Sequence, residues 1–508
     1  MSSRLMINKI IVVFLVLSSA TFAQAQTKKK IEIQNADGLF VDENISNGAK
    51  RLVGNVVLLH DDATMYCDSA LFYDINNSVE AFGKVHIKNG DSTHVYSDKL
   101  HYDGNTKKAV LTDNVKLYDK DINLATSVLN YDVKDNIGSY TTSAVIINKK
   151  NKLTSQNGYY YGKKRELFFK TNVKLVNKDY TVITDTMHYN TASKVAYFFG
   201  PTNITSTDNH IYCQNGWYDT EHDKAQFSKH AKLSNKEQTL TGDSVHYDRI
   251  KGIGKAFRNI SISDTTQHIT VKGNYGWFNE KQSKSLVTGK ALLIQQFEGK
   301  DSLFLHADTL RMVYDTVNMN NKIIWAYHKA KFFKTDMQGA CDSLVYNFKD
   351  SLIRMYHQPI LWSGERQLTA EHVDIRTFEG KVEKLYLYDK AFIIAEKDTD
   401  KYDQVSAKNM VGNFINNDLN NVRAIGNGQT IYYAKEDKKE TYTGANKAEC
   451  AEMIIYLKGN EVQRINFINK PTATLYPIKE AKGEDFMLKN FNWQINRKPL
   501  VANDVFDY

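Results

Sequence analysis

The chain has 508 residues, 66 Lys and Arg against 58 Asp and Glu, a formal net charge of +8, 12% aromatic residues with 30 Tyr, and only 5 Pro. Hydrophobic residues at 42% beside a charged fraction of 24% exclude a disordered chain and fit a folded, β-rich one. Basic residues dispersed along the chain tolerate an anionic ligand but make no nucleic-acid footprint, so no nucleic-acid partner is expected.

In chain order, Arg4 and Lys9 precede the apolar run Ile10 to Leu17, and small residues lead to Ala23-Gln24-Ala25. That is the pattern of a secretory signal peptide over 1–25, cut after Ala25, which predicts an exported, periplasmic protein. No other stretch approaches the ~20 apolar residues that a membrane helix needs. A lead-in covers 26–50.

From 51 to 290 the chain repeats itself. Copies read CDSALFYD from Cys67, SDKLHYDG from Ser97, TSVLNYDV from Thr126, SQNGYYYG from Ser155, TDTMHYNT from Thr184, CQNGWYDT from Cys213, GDSVHYDR from Gly242 and KGNYGWFN from Lys272, spaced 30, 29, 29, 29, 29, 29 and 30 residues. Such regularity marks a repeat architecture. Irregular copies with insertions occupy 291–478, starting at Ala307, Cys341, Ala370, Ala407 and near Ala448, for about thirteen units in all. Residues 479–508 lie outside the repeat.

Each unit alternates with period two, so its elements are strands. Apolar residues in the fourth slot and aromatics in the sixth share one face: Leu100 with Tyr102, Leu129 with Tyr131, Met187 with Tyr189, Val245 with Tyr247, Leu344 with Tyr346, and Tyr218 in its own unit. His101, His188 and His246 fall between them on the opposite face. A second apolar slot follows about 17 residues after each start, with Val115 in DNVKL and Val173 in TNVKL as examples. One unit cannot bury its apolar face alone, and stacking unit on unit makes a continuous two-layer core. The fold class is therefore all-β, an elongated stack of antiparallel strands. Glycines in the ladder, Gly158, Gly216 and Gly412, suggest an interior that is not packed tight.

Chemistry is sparse. Metalloprotease, hydrolase and phosphate-loop motifs are absent, so no enzyme is expected and no cofactor or metal is implied. The repeated Asp68, Asp98, Asp185, Asp243, Asp308 and Asp342 read as a turn or edge device. Cys67 and Cys213 share a slot five units apart, at least ~24 Å, whereas a disulfide needs Cα atoms within ~7 Å, so no bridge between the slot cysteines is expected.

The signal segment together with a unit of the form D-x-L-x-Y-D followed by G-x-V-x-L at a period of about 29 resembles the OstA-like, LptA-type family of organic-solvent-tolerance and lipopolysaccharide-transport proteins, from about Arg51 to about Pro477. The resemblance implies a V-shaped β-jellyroll of two splayed sheets whose interior takes the acyl chains of lipopolysaccharide or another anionic lipid. It also implies partner transport proteins bound by strand addition at the stack ends, end-to-end self-association, and a periplasmic bridge to the outer membrane. The groove would be lined by Leu100, Tyr102, Val115, Leu129, Tyr131, Val173, Met187, Tyr189, Tyr218, Val245, Tyr247, Leu344 and Tyr346. A structural or adhesive β-solenoid with a dry core is the competing reading.

Overall fold

A computed structural model describes residues 29–41, 48–120, 122–148, 151–297, 301–315, 321–435, 441–459 and 461–507. The expected signal segment lies outside them. Described residues form antiparallel strands joined by tight turns, with only short 3-10 turns besides. No helix among them is long and apolar enough to cross a membrane. The chain divides between Gly138 and Ser139 into two compact units.

In the first unit the strands Lys50–His60, Ala63–Tyr73, Ser78–Asn89, Thr93–Asp103, Lys108–Asp119 and Ile122–Asp132 pair with their chain neighbours. Every pair slips register near its middle. Gly54 and Asn55, Gly83 and Lys84, and Asp113 and Asn114 each place two residues against one on the next strand, and all six have positive φ. Two against one is a β-bulge, which bends the strand and turns its second half through a corner. The two expected layers are therefore halves of the same strands rather than separate sheets.

The recurring aspartate sits opposite that corner. Asn114 Nδ2 donates to Asp98 Oδ2 at 2.6 Å, Lys84 pairs with Asp68 at 3.6 Å, and Asn259 Nδ2 donates to Asp243 Oδ1 at 3.2 Å in the second unit. Asparagine suits the second corner position because it tolerates left-handed φ and its amide reaches the aspartate. The slot holds the corner.

On the strand that faces the bulge the side-chain alternation shifts by one residue at the corner, so one face stays inward along both halves. In Ala63–Tyr73 the inward residues are Ala63, Met65, Cys67, Ala70 and Phe72, all buried. One half of the strands carries the slot tyrosines and is termed the tyrosine wall; the other, with Leu58, Met65, Ile87, Val95, Leu117 and Leu124, is the aliphatic wall.

The second unit continues this plan from Glu166–Val176 to Met337–Asn347, with corners at Thr171-Asn172, Lys229-His230, Arg258-Asn259, Gly289-Lys290 and His328-Lys329. Beyond, strands are short from Leu352–Tyr356 to Asn409–Ile415 and long again at Asp418–Lys435 and Tyr442–Lys458, and the interior belongs to one dense cluster that runs from Ile269 to Leu457. Residues 479–507 cross the outside of this part as a strap. Gln404 Nε2 donates to Phe486 O at 2.8 Å while its Oε1 accepts from Leu488 N at 2.8 Å; Gln367 does the same with Asn492 O at 2.6 Å and Gln494 N at 2.7 Å. Under the strap, Phe486 and Leu488 pack on Phe392, Ile394, Ile431 and Tyr433. An outward sheet face that would otherwise show apolar residues to water is thereby covered.

The copy KGNYGWFN sits one residue later than the spacing predicts. Gly276 and Phe278 pair with Ala256 and Gly254 in the inward rows, and Trp277 falls on the outward face. The ladder glycines do not leave space either. A Cβ on Gly158 would lie 2.3 Å from Tyr140 Oη, on Gly216 2.8 Å from Gln226 O and 3.3 Å from the Phe227 ring, and on Gly412 3.0 Å from Leu419 Cδ1. Neighbouring groups pack onto each glycine, so the expected looseness is absent at these positions.

Candidate ligand trough

Cross-strand pairing links the inward residues into rows. On the tyrosine wall of the second unit one row runs Tyr189, Ala196, Tyr218, Ala225, Tyr247, Gly254, Phe278 and Ser285, large rings alternating with small residues. Opposite it the aliphatic wall carries Val182, Ile204, Ile211, Leu233, Leu240, Ile262, Val271 and Leu293. Nearer the corner, Cys213, Ala231 and Ile260 of one wall meet Phe227, Val245 and Ala256 of the other in a buried cluster.

Burial along these rows changes within the chain. In the first unit Leu58, Met65, Ile87, Val95, Leu117 and Leu124 are fully buried, and Tyr102 and Tyr131 are 0% and 1% exposed. In the second unit Val182 and Leu293 are buried, but Ile204, Ile211, Leu233, Leu240, Ile262 and Val271 between them are only partly so, as are Tyr189, Tyr218, Tyr247 and Phe278. The same repeat positions are therefore sealed in one unit and open to solvent over several strands of the other.

Hydrogen bonds at the mouth account for the difference. In the first unit the tyrosines reach across. Tyr102 Oη is 2.6 Å from His60 Nδ1, and Tyr131 Oη accepts from Asn89 Nδ2 at 2.7 Å while donating to Asn136 Oδ1 at 2.8 Å; Asn136 Nδ2 in turn donates to Thr93 Oγ1 at 3.0 Å. Lys107 pairs with Asp61 above them. Buried polar groups must be paired, and here each finds its partner on the opposite wall.

In the second unit the tyrosines fold back. Tyr218 Oη donates to Asp223, five residues on, where the first unit has Asn136 after Tyr131. An ionised carboxylate has no N–H with which to cross the mouth. Tyr247 Oη donates to Glu280 Oε2 at 2.8 Å on the next turn of its own wall. The facing residues are also occupied: Asn177 Oδ1 accepts from the backbone N–H of Asp179 and Tyr180, and Asn235 Oδ1 from those of Glu237 and Gln238. Such turns use the side chain on its own backbone. Burial, reinforced by Glu280, raises the Tyr247 phenol to about 12, and burial with Asp223 raises that of Tyr218, so both remain proton donors at neutral pH.

Tyr180 of the aliphatic wall, raised chiefly by burial, also feels Asp223 of the tyrosine wall. Further along, buried Lys322 is lowered to about 8 by desolvation, partly offset by Asp264 across the mouth. The Phe297 ring lies against Gly380, where a Cβ would be 2.6 Å from Phe297 Cδ1, and Arg366 donates to Gly459 O at 2.9 Å.

Of the residues expected to line a groove, Tyr189, Tyr218 and Tyr247 face the open stretch, while Met187 and Val245 are buried beneath it and Val173 is buried at its beginning. Leu100, Tyr102, Val115, Leu129 and Tyr131 belong to the sealed first unit, and Leu344 and Tyr346 to the dense core further on. The sequence reading missed the partly exposed aliphatic row. Its signal was present two places after the second slot, as Leu233 in KHAKL and Ile262 in RNISI, and two places before the unit start, as Ile211 and Leu240.

His188 stacks outside between Phe168 at 4.1 Å and Tyr197 at 5.5 Å. His101 and His246 lie on the same outward face, beside Glu80 and Phe257 respectively. No disulfide joins the four cysteines, and all four are buried. No grouping of three or more metal-ligating side chains occurs among the described residues.

Compared with known proteins, residues 28–185 and 180–243 match the model of the OstA-like protein family. No curated protein matches the chain. Among solved structures, the crystal structure of LptH, the LptA-homologous periplasmic component of the conserved lipopolysaccharide transport device from Pseudomonas aeruginosa, is similar at 15% identity, covering 24% of this chain and 82% of its own, with a TM-score of 0.21. Over residues 28–243, somewhat less than half of its length, this chain is similar to the OstA-like protein family.

Proposed function

We propose that the protein binds lipopolysaccharide, or an anionic lipid like it, in the periplasm and passes it towards the outer membrane, with acyl chains held against the open stretch of the second unit. The observation that carries this reading is the row Ile204, Ile211, Leu233, Leu240, Ile262 and Val271, which faces inward yet is partly exposed. A dry solenoid gains nothing by leaving such a row open, whereas an acyl chain laid on it regains roughly 25 cal/mol per Å² of apolar area removed from water. The similarity of residues 28–243 to the OstA-like family supports the same substrate class. No cofactor is required.

Edge strands support partners acquired by strand addition. Gly38–Val41 carries exposed Leu39, Phe40 and Val41, and Thr472–Pro477 carries exposed Leu475. Unpaired edges with apolar side chains are templates for another chain, a transport partner or a second copy. The sealed interior of the first unit favours a purely structural role for that part.

The test is photo-crosslinking of lipopolysaccharide to residues placed along the trough. A crosslinker at Leu240 should capture lipid and one at Leu117 should not. Replacing Leu233 and Ile262 with Asp should abolish capture at 240; undiminished capture in that variant would refute the assignment.

A further inference from the structure

The sealed interior of the first unit gives a ligand no way in, but its outward face carries a cluster that stacking does not require. On the outside of the aliphatic wall, cross-strand pairing sets Tyr66, His86, Tyr96 and Lys116 in one row, with His94 and Tyr118 paired beside it. Tyr66, Tyr96 and Tyr118 are 39%, 39% and 38% exposed, and they line a concavity of about 910 Å³. The rings hold one another in place. His86 stacks between Tyr66 at 5.3 Å and Tyr96 at 4.3 Å, its Nε2 lies 3.0 Å from His94 Nδ1, and Tyr118 makes a T-shaped contact with Tyr96 at 5.7 Å.

The second unit serves as an internal control. Its equivalent row reads Lys174, Ile183, Asn203, Tyr212, Lys232 and Thr241, with one aromatic residue, on strands bent at the same corner. A structural need of the corner or the wall would recur in every copy, so three exposed tyrosines in the first unit alone answer to something outside the chain. Charge narrows the occupant. Lys84 pairs with Asp68 and Asp98 accepts from Asn114, whereas exposed Lys88 and Lys116 stand beside the rings with no ion pair among the described residues. A sugar ring or a nucleobase packs on an aromatic face, but here the stacked rings turn their faces to one another and present edges and hydroxyls. A protein segment can use ring edges, hydroxyls and ammonium groups together, and tyrosines beside charged residues are a frequent make-up of protein contacts.

We propose that this outward face of the first unit is a docking surface for an acidic segment of a partner protein, whose carboxylates pair with Lys88 and Lys116 while its side chains fill the concavity lined by the three tyrosines. The surface is separate from the strand edges and from the trough, and it stands whether or not the trough holds acyl chains.

The probe is a fluorescein-labelled peptide of Glu, Gly and Leu, compared with its Lys-for-Glu counterpart, and binding to the purified mature chain is read by fluorescence anisotropy at low salt. The acidic peptide should bind and the basic one should not. Lys88→Glu with Lys116→Glu should reverse that preference, and Tyr118→Ala should weaken the acidic peptide about tenfold. Lys174→Glu with Lys232→Glu, an equal change of charge in the second unit's row, should leave the affinity as it was. These side chains are exposed or partly so, and an unchanged circular dichroism spectrum verifies that each variant is folded. An equal loss in both charge-reversed pairs would mean attraction by net charge alone and would overturn the docking surface. Indifference to the sign of the peptide, or displacement of the peptide by maltoheptaose, would overturn it as well.

Discussion

Leu117 and Leu233 occupy the same repeat position, two places after Val115 and Ala231, and differ only in what lies across from them. Leu117 is fully buried in the sealed first unit; Leu233 is partly exposed over the open stretch. Leu117→Ala leaves a cavity with no route to solvent and should cost about 2–5 kcal/mol. Leu233→Ala removes a side chain already partly in water and leaves a groove instead of a cavity, so it should cost about 1 kcal/mol. Native-state hydrogen exchange read by mass spectrometry separates the units, because peptides from 93–132 and from 210–248 report their own opening free energies. Addition of dodecyl maltoside should raise protection around 233 and not around 117. If Leu233→Ala costs as much as Leu117→Ala, the second unit is as sealed as the first and the trough does not exist.

The strap should come loose one clamp at a time. Gln404→Ala removes both bonds to Phe486 and Leu488, leaves buried backbone groups unpaired, and should cost about 1–3 kcal/mol with faster proteolysis within 479–508; unchanged cleavage would mean that apolar packing alone holds the segment. Asp403 gives a pH-dependent test. Burial, only partly offset by the Tyr433 N–H, Lys397 and Arg366, raises its carboxyl to about 6 from an ordinary 3.8. Because the folded value lies above the unfolded one, the favourable contribution is complete below pH 3.8 and is lost as pH rises through about 6. Asp403→Asn should therefore stabilise the protein by roughly 1–3 kcal/mol at pH 8, and the gain should vanish near pH 3.5. A gain independent of pH would refute the assignment.

Much of this fold was written in residue spacing. The 29-residue period, the alternation that turns Tyr102, Tyr131, Tyr189, Tyr218 and Tyr247 to one face, and the aspartate slot were all legible, because side-chain direction in a strand has a period of two whatever surrounds it. The corner was only half legible. The aspartates were visible, but their role emerged once Asp98 faced Asn114 and Asp243 faced Asn259 across a bulge, since pairing brings together residues 16 apart. The strap was illegible: its partners Gln367 and Gln404 are 125 and 82 residues away from Asn492 and Phe486.

Sequence by itself determined that this chain stacks repeated strands with a continuous apolar face. Only the tertiary structure decided where that face is sealed and where it stands open. Asn89 and Asn177 are the same residue in the same repeat position, yet Asn89 donates across the mouth to Tyr131, whereas Asn177 accepts from its own turn. A side-chain amide has both capacities, and which one it uses depends on what the opposite wall and the local turn place within hydrogen-bond reach.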